Sequence, residues 1–406
     1  MKRFWIFLFA MMVMMGRVHA QHLFEHTYPI VSQENQQIRT LMNQVSVDSL
    51  TATIEHLQSY PTRRWDTPMS YTVQQWLYNT CQRMGFDTVF LHDFPVLYHD
   101  TLYMTSDNVI AIQKGLVYPD EYVMCGAHYD SYNNSPGDPN TLLAPGADDN
   151  ASGLSGILET ARLLSQCKFE RSVVYCGFAA EEIGLYGSAA YAKDCADQLM
   201  DIVGYFNLDM IGYLEEGSEM QVNLIYVSRD SLLANYVFDF SHVYYPDMLI
   251  KRSWFSWGDS DFSSFNRNGY AAVHAFEDTR HSSPFIHTPN DVLGVSVNNM
   301  DQVKRFTELN LGLVATLAGL VSTGVSDEVV PSVTIQPNPA DDRITVKGVP
   351  VKQVMVYNLM GQCVLSQSNR GEMECVIEVG SLVPGIYFLQ MMNDDGRMVS
   401  AKFVKS

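Results

Sequence analysis

The segment Tyr122-Val123-Met124-Cys125-Gly126-Ala127-His128-Tyr129-Asp130 is a short apolar run that ends on a histidine and a carboxylate. A run of this length reads as a strand buried on both faces. Working outward, residues 151–166 carry Leu154, Ile157, Leu158, Ala161 and Leu164 on one helical face. Further strand patterns follow at 172–178, 202–208, 221–227 and 272–276, with helical patterns at 188–195, 231–240 and 300–321. Upstream, 108–112 reads as a strand. The stretch 48–84 is helical, with Leu50, Ile54 and Leu57 on one face, and Tyr60-Pro61-Thr62-Arg63 breaks it. Strands alternating with helices predict an α/β fold, a mostly parallel central sheet flanked by helices.

Near Thr323-Gly324 the pattern changes. Short strand-like runs follow at 332–335, 343–346, 354–357, 375–379, 386–389 and 398–404, separated by turns such as Pro337-Asn338-Pro339. These predict a small all-β sandwich of about 80 residues. At the other end, Lys2 and Arg3 precede an apolar run from Phe4 to Met15, and Val18-His19-Ala20 supplies small residues at the −3 and −1 positions. That is the pattern of a secretory signal peptide cut after Ala20, and the run is too short to span a membrane. The expected organisation is therefore a signal peptide at 1–20, an α/β domain at 21–325 and a β-sandwich at 326–406.

Composition narrows the partners. The 406 residues carry 26 Lys and Arg against 45 Asp and Glu, a net charge of −19. Nucleic acid and anionic membranes call for basic patches, so neither is expected as a partner. A charged share of 17% with 12% aromatics is globular rather than disordered. Seven cysteines in so long a chain do not make a disulfide scaffold, and no CxxC suggests a thiolate zinc site. Cys125 and Cys176 are expected as neighbours in the core, while Cys167 and Cys195 each follow a helical stretch and could pair.

Ligands of an open α/β sheet bind outside the carboxyl ends of its strands. His128 and Asp130 follow the first strand quoted above, and a Pro- and Gly-containing loop leads from there to Asp148-Asp149-Asn150. Glu181-Glu182 and Asp209 follow the next two strands, and His287-Thr288-Pro289-Asn290-Asp291 lies downstream. Each has an ordinary alternative: His128 as a surface or capping residue, Asp148 and Asp149 as helix caps, Glu181-Glu182 as a solvated turn. Their joint recurrence at strand ends points to a metal site. Histidines with carboxylates suit zinc or a neighbouring ion. Asp149, Glu182 and Asp209 with a bridging hydroxide would balance two divalent ions, and such a pair lowers the pKa of water and polarises a carbonyl. Glu181, beside a ligand but not needed as one, is the candidate general base.

These motifs resemble the co-catalytic zinc aminopeptidases of peptidase family 28, of the bacterial leucyl aminopeptidase type. They comprise Gly126–Ser131, Gly146–Gly153, Ala180–Ser188, Asn207–Met210 and His287–Asp291, in that family's order. The resemblance implies the zinc-exopeptidase fold and two Zn2+ ions, one held by His128, Asp149 and Asp209, the other by Asp149, Glu182 and His287. It further implies that Asp130 orients His128, that Glu181 acts as base and then acid, and that the Asp149–Asn150 peptide is cis. The implied substrates are peptides with a free N-terminus. Two departures bear on rate and preference. Ile286 stands where relatives often have a tyrosine that steadies the oxyanion, for which Tyr213, Tyr270 and Tyr129 are the candidates; and Ser260-Asp261-Phe262 replaces a Ser-Asp-His. A glutaminyl cyclase with one zinc, or a non-catalytic surface-binding protein, are the rival readings.

The tail resembles the C-terminal sorting domains of type IX secretion cargo through Ile335–Ala340, Val356–Gln362, Leu382–Tyr387 and Lys402–Lys405. That implies the type IX machinery as partner and a secreted or cell-surface location.

Overall fold

The computed structural model describes residues 22–98, 101–137, 141–254, 259–321, 334–358, 363–392 and 398–406. The expected signal peptide and the expected junction near residue 325 lie outside them. The chain forms two compact units, Met1–Val321 and Ser322–Ser406.

The main sheet of the first unit has eight strands: β1 Thr88–Tyr98, β2 Thr101–Gln113, β3 Tyr118–His128, β4 Arg171–Phe178, β5 Asp201–Leu208, β6 Gln221–Ile225, β7 Leu249–Ser253 and β8 Ala272–Phe276. Their order across the sheet is β1-β2-β4-β3-β5-β8-β6-β7. The central pairs β4–β3, β3–β5 and β5–β8 run parallel, as does β6–β7. The pairs β1–β2, β2–β4 and β8–β6 are antiparallel. Strand β1, the first half of β2 and strand β7 are additions to the sequence reading. Thr88–Tyr98 and Leu249–Ser253 are edge strands, where one side of the ladder is open and polar residues are tolerated, so no apolar run marks them.

Helices cover both faces. Successive residues of β4 point to opposite sides: Val173 and Tyr175 join one core, Val174 and Cys176 the other. The first core also receives Leu50, Ile54 and Leu57 of α2 (Val47–Gln58), Leu77 of α3 (Pro68–Met84), Leu154 and Ile157 of α4 (Gly153–Leu164), and Phe306 and Leu309 of α8 (Met300–Leu317). The second receives Tyr191, Ala192 and Cys195 of α5 (Tyr186–Asp197) and Phe262 and Phe265 of α7 (Phe262–Arg267). The first core also takes Ile38 and Met42 of α1 (Gln36–Met42) and Leu233, Val237 and Phe240 of α6 (Ser231–Tyr244).

This two-sided burial corrects the expected pairing of Cys167 with Cys195. Cys167 packs on the first core and Cys195 lies in the second, with the sheet between, and all seven cysteines are free thiols. Cys125 and Cys176 do sit on adjacent strands, but on opposite faces. Among the described residues no helix is long and apolar enough to cross a membrane.

The second unit is an antiparallel sheet of β9 Thr334–Gln336, β10 Arg343–Tyr357, β11 Cys363–Glu378, β12 Gly385–Met392 and β13 Met398–Lys405. Strand β11 pairs with one edge of β10, and β9 and β12 share the other. Ala340 bridges to Lys405, which nearly closes the sheet around Ile344, Val346, Val354, Ile377, Leu389 and Phe403.

Candidate metal centre

Each site residue is delivered by the end of a buried element. His128 is the last residue of β3; Glu181 and Glu182 follow β4, and Asp209 follows β5. Asp149 lies in the turn 147–152 that leads into α4, and His287 lies in the loop after β8. Close packing brings two of these together. A Cβ on Gly153 would meet Asn150 Oδ1 at 2.3 Å and the Leu208 carbonyl oxygen at 2.4 Å, so only glycine lets the start of α4 rest on the end of β5. The Asp149–Asn150 peptide is cis, as the resemblance implies. Ala180, Met210 and His287 adopt positive φ of 57°, 51° and 56°. Such backbone in non-glycine residues concentrates at functional sites.

The expected ligand residues come together. His128 Nε2 lies 3.3 Å from Asp149 Oδ1 and 3.5 Å from Asp209 Oδ1. His287 Nε2 lies 3.0 Å from Asp149 Oδ2 and 2.7 Å from Glu182 Oε2. Asp149 thus turns one oxygen to each histidine. Two donor atoms on one zinc, each at about 2.1 Å and tetrahedrally disposed, stand roughly 3.4 Å apart, and these separations bracket that value. His128 Nε2, Asp209 Oδ1 and Glu182 Oε1 are buried without a hydrogen-bond partner. Orphaned polar atoms of this kind are costly, and cations held in the cluster would satisfy them. Imidazole nitrogens with carboxylate oxygens and no thiolate form a donor set that fits zinc. Glu181 groups with His128 and Asp209, their tips within 4.8 Å of one another.

A second layer holds these groups. Asp130 Oδ1 lies 3.4 Å from His128 Nδ1, and its two oxygens accept from the backbone amides of Glu181 (3.2 Å) and Glu182 (3.3 Å). Asp291 accepts from the amides of Asp148 (2.8 Å) and Asp149 (3.2 Å), so the fifth motif clamps the second. Ser260 donates to Asp209 Oδ2 at 2.7 Å; behind it Asn207 donates to Ser260 and Tyr205 to Asn207. Arg63, fully buried, donates to the carbonyls of Tyr129, Leu57, Pro145 and Gly146. Asp148 accepts from the Gly212 amide at 2.9 Å, a tie between loops rather than a helix cap. Arg63, Ser260 and Asn207 have no assigned role in the sequence reading, because nothing in their neighbourhoods along the chain announces a partner.

Electrostatics follow from this crowding. Burial by itself would lower His128, but Glu181, Asp209, Asp130 and Asp149 hold it well above the usual histidine range. Burial likewise opposes the charge on His287, and Asp149 and Glu182 overcome it, to about 11. Burial, with Asp149 alongside, pushes Glu182 up to about 8, and burial raises Glu181 well above the carboxylate range. Asp149 goes the other way, because the closeness of both histidines outweighs its burial.

A cavity of about 280 Å³ opens beside the cluster, lined by Glu181, Asp209 and His287 and walled by Leu185, Met210, Phe276 and Ile286. Of the tyrosines considered as oxyanion donors, Tyr129 donates to the Asp107 carbonyl and Tyr270 to that of Met200, which engages both elsewhere. Tyr213 is left, its ring edge-on to Phe285.

Known proteins resemble the chain in sequence and in fold. Aminopeptidase YwaD of Bacillus subtilis is 33% identical over 199 residues, 46% of this chain and 40% of that protein. Leucine aminopeptidase 1 of Sclerotinia sclerotiorum is 28% identical over 297 residues, 69% of this chain and 74% of that protein. The chain spans less than half the length of YwaD and of two fungal probable zinc metalloproteases that it matches at about 30% identity. Two solved structures share the fold: LapB of Legionella pneumophila, with TM-score 0.61 and 22% identity over 74% of this chain and 78% of that one, and Porphyromonas gingivalis glutaminyl cyclase, with TM-score 0.57 and 18% identity over 67% and 98%. Residues 334–406 match the secretion system C-terminal sorting domain. Residues 108–313, half of the chain and bearing all five motifs, match peptidase family M28, and the chain belongs to that family.

Proposed function

We propose that the protein is an exported aminopeptidase that uses two zinc ions to hydrolyse the first peptide bond of substrates with a free N-terminus. The observation that carries the proposal is the carboxylate of Asp149, which offers a separate oxygen to each of two histidine-centred donor groups. His128, Asp149 and Asp209 would hold one ion, and Asp149, Glu182 and His287 the other. Zinc bound there would lower the pKa of a shared water and polarise the scissile carbonyl. Glu181 lines the cavity beside the donors without being needed among them. It would take the proton of the attacking water and pass it to the departing amine. Asp130 would keep His128 oriented through Nδ1. The carboxylates of Glu181 and Asp209 would favour a substrate ammonium, and the Leu185, Met210, Phe276 and Ile286 wall suits an apolar side chain at the first residue. The sorting domain supports delivery by type IX secretion to the surface or the medium.

The glutaminyl cyclase reading needs one ion. Purified protein should hold two zincs per chain, cleave leucyl amides, lose turnover to a chelator and ignore the N-acetylated amide. One zinc per chain with release of a cyclised product from glutaminyl peptides would favour the cyclase. Neither activity in a zinc-loaded protein would favour a surface-binding role.

A further inference from the structure

The His287 side chain is 25% accessible, against 1–8% for His128, Asp149, Glu182 and Asp209, and it is gripped by a loop with no assigned role. The backbone amide of Asn134 donates to the His287 carbonyl at 3.1 Å. The Asn134 side-chain amide is placed with Nδ2 at 3.3 Å from His287 Nδ1. The Tyr132 ring and the imidazole meet edge-to-face, centroids 5.5 Å apart, and the Arg64 guanidinium lies over the Tyr132 ring at 5.3 Å. These three residues come from the segment after β3 and from the turn after α2, so His287 is held from outside its own loop.

The chemistry of the imidazole then decides what Asn134 must do. His287 Nε2 is the nitrogen that faces Asp149 and Glu182. A ligating nitrogen needs its lone pair free, which leaves the proton on Nδ1. A doubly protonated ring would carry one there too. In either state Nδ1 is a donor, and only the amide oxygen of Asn134 can answer it; half a turn of the amide exchanges its oxygen and nitrogen without other movement. We propose that Asn134 is a positioning residue whose side-chain oxygen accepts the Nδ1 proton of His287, fixing the tautomer and the ring orientation for metal ligation through Nε2. The inference rests on the zinc reading above. Outer partners of ligating histidines are worth about 10–100-fold in metal affinity.

Stepwise zinc affinities, measured by chelator competition on the full chain, test it with Asn134→Leu, Asn134→Asp and His287→Ala beside the parent. Asn134→Leu should weaken one of the two zincs roughly 10–100-fold, the same one that His287→Ala removes. Asn134→Asp can only accept at that position, so it should match or exceed the parent. Asn134 is exposed, so unfolding midpoints in chelator should be unchanged, which separates positioning from folding. A second measurement is independent of the variants: nitrogen NMR of the zinc-loaded parent should place the His287 proton on Nδ1. Parent-like affinity for Asn134→Leu, or a loss for Asn134→Asp equal to that for Leu, overturns the inference while leaving the zinc reading intact. Full retention of both zincs in His287→Ala overturns the zinc reading and the inference with it.

Discussion

Arg63 offers the sharpest physical test of how the site is built. Its guanidinium is fully buried and donates to four backbone carbonyls, those of Leu57, Tyr129, Pro145 and Gly146. Those carbonyls belong to α2, to the residue after His128 and to the approach to Asp149, so one side chain ties three segments. Burial lowers its pKa to about 10, with the carboxylates of Asp291, Asp130, Asp149 and Glu182 opposing the drop, so it stays cationic at neutral pH. Arg63→Met keeps most of the stem and removes every donor. The Leu57 and Gly146 carbonyls keep a second donor, the amides of Tyr60 (3.4 Å) and Ala151 (3.0 Å), so those of Tyr129 and Pro145 lose their partner; each costs on the order of 1–3 kcal/mol, and two at mid-range give a loss of about 4 kcal/mol. That is a large share of the roughly 5–15 kcal/mol that holds a domain together. Lysine brings three donors on a compact head that cannot span the four acceptors, so Arg63→Lys should recover only part. The assay is chemical unfolding in chelator followed by zinc titration, where the Met variant should also bind more weakly because the approach to Asp149 is no longer held. An Arg63→Met protein with the parent's unfolding midpoint and zinc affinity would refute the reasoning, since two buried carbonyls would then have lost their donor at no cost.

Other expectations follow from the same structure. Glu181→Gln keeps shape but cannot accept a proton, so kcat should fall by roughly 10²–10⁴-fold with both zincs retained; near-parent kcat would remove Glu181 from the mechanism. Asp149→Asn should weaken both zinc sites, and metal analysis finding two tightly held ions in it would exclude a bridging role. In chelator, stability should fall as pH rises from about 4 to 8. Burial holds Asp291 at about 6, and burial with Asp149 holds Glu182 at about 8, so the folded state keeps protons that the unfolded chain releases near pH 4. Zinc competes with those protons, so its stabilising effect should grow over the same range; unfolding midpoints at pH 5 and 8, with and without zinc, check both slopes, and a flat metal-free profile would contradict them. Deleting residues 334–406 should leave zinc binding and peptidase turnover in place, because every proposed ligand lies in the other unit; loss of zinc from a folded truncation would contradict that separation.

Much of this protein is legible in one dimension because its decisive features are local. Helices α2, α4 and α8 announce themselves by apolar residues at 3.6 spacing, and β3, β4 and β5 by runs of residues buried on both faces. His128, Asp149, Glu181, Glu182, Asp209 and His287 each sit in a short contiguous motif at the end of such an element, so their residue types and order were enough to suggest metal chemistry. In the tail, 343–346 and 354–357 read as two strands, whereas the ladder continues through irregular pairing between Lys347 and Val351 as one strand, β10. What no linear pattern carries is distance between segments. That Asp149 faces both histidines, that Ser260 stands behind Asp209, that Arg63 closes over four carbonyls and that Cys167 and Cys195 lie on opposite sides of the sheet are decided by packing. Hydrogen bonds and steric contact act through space over a few ångströms, and residues 68 to 153 positions apart along the chain, such as Arg63 with Ser131 or Asn134 with His287, meet only once the whole sheet has formed.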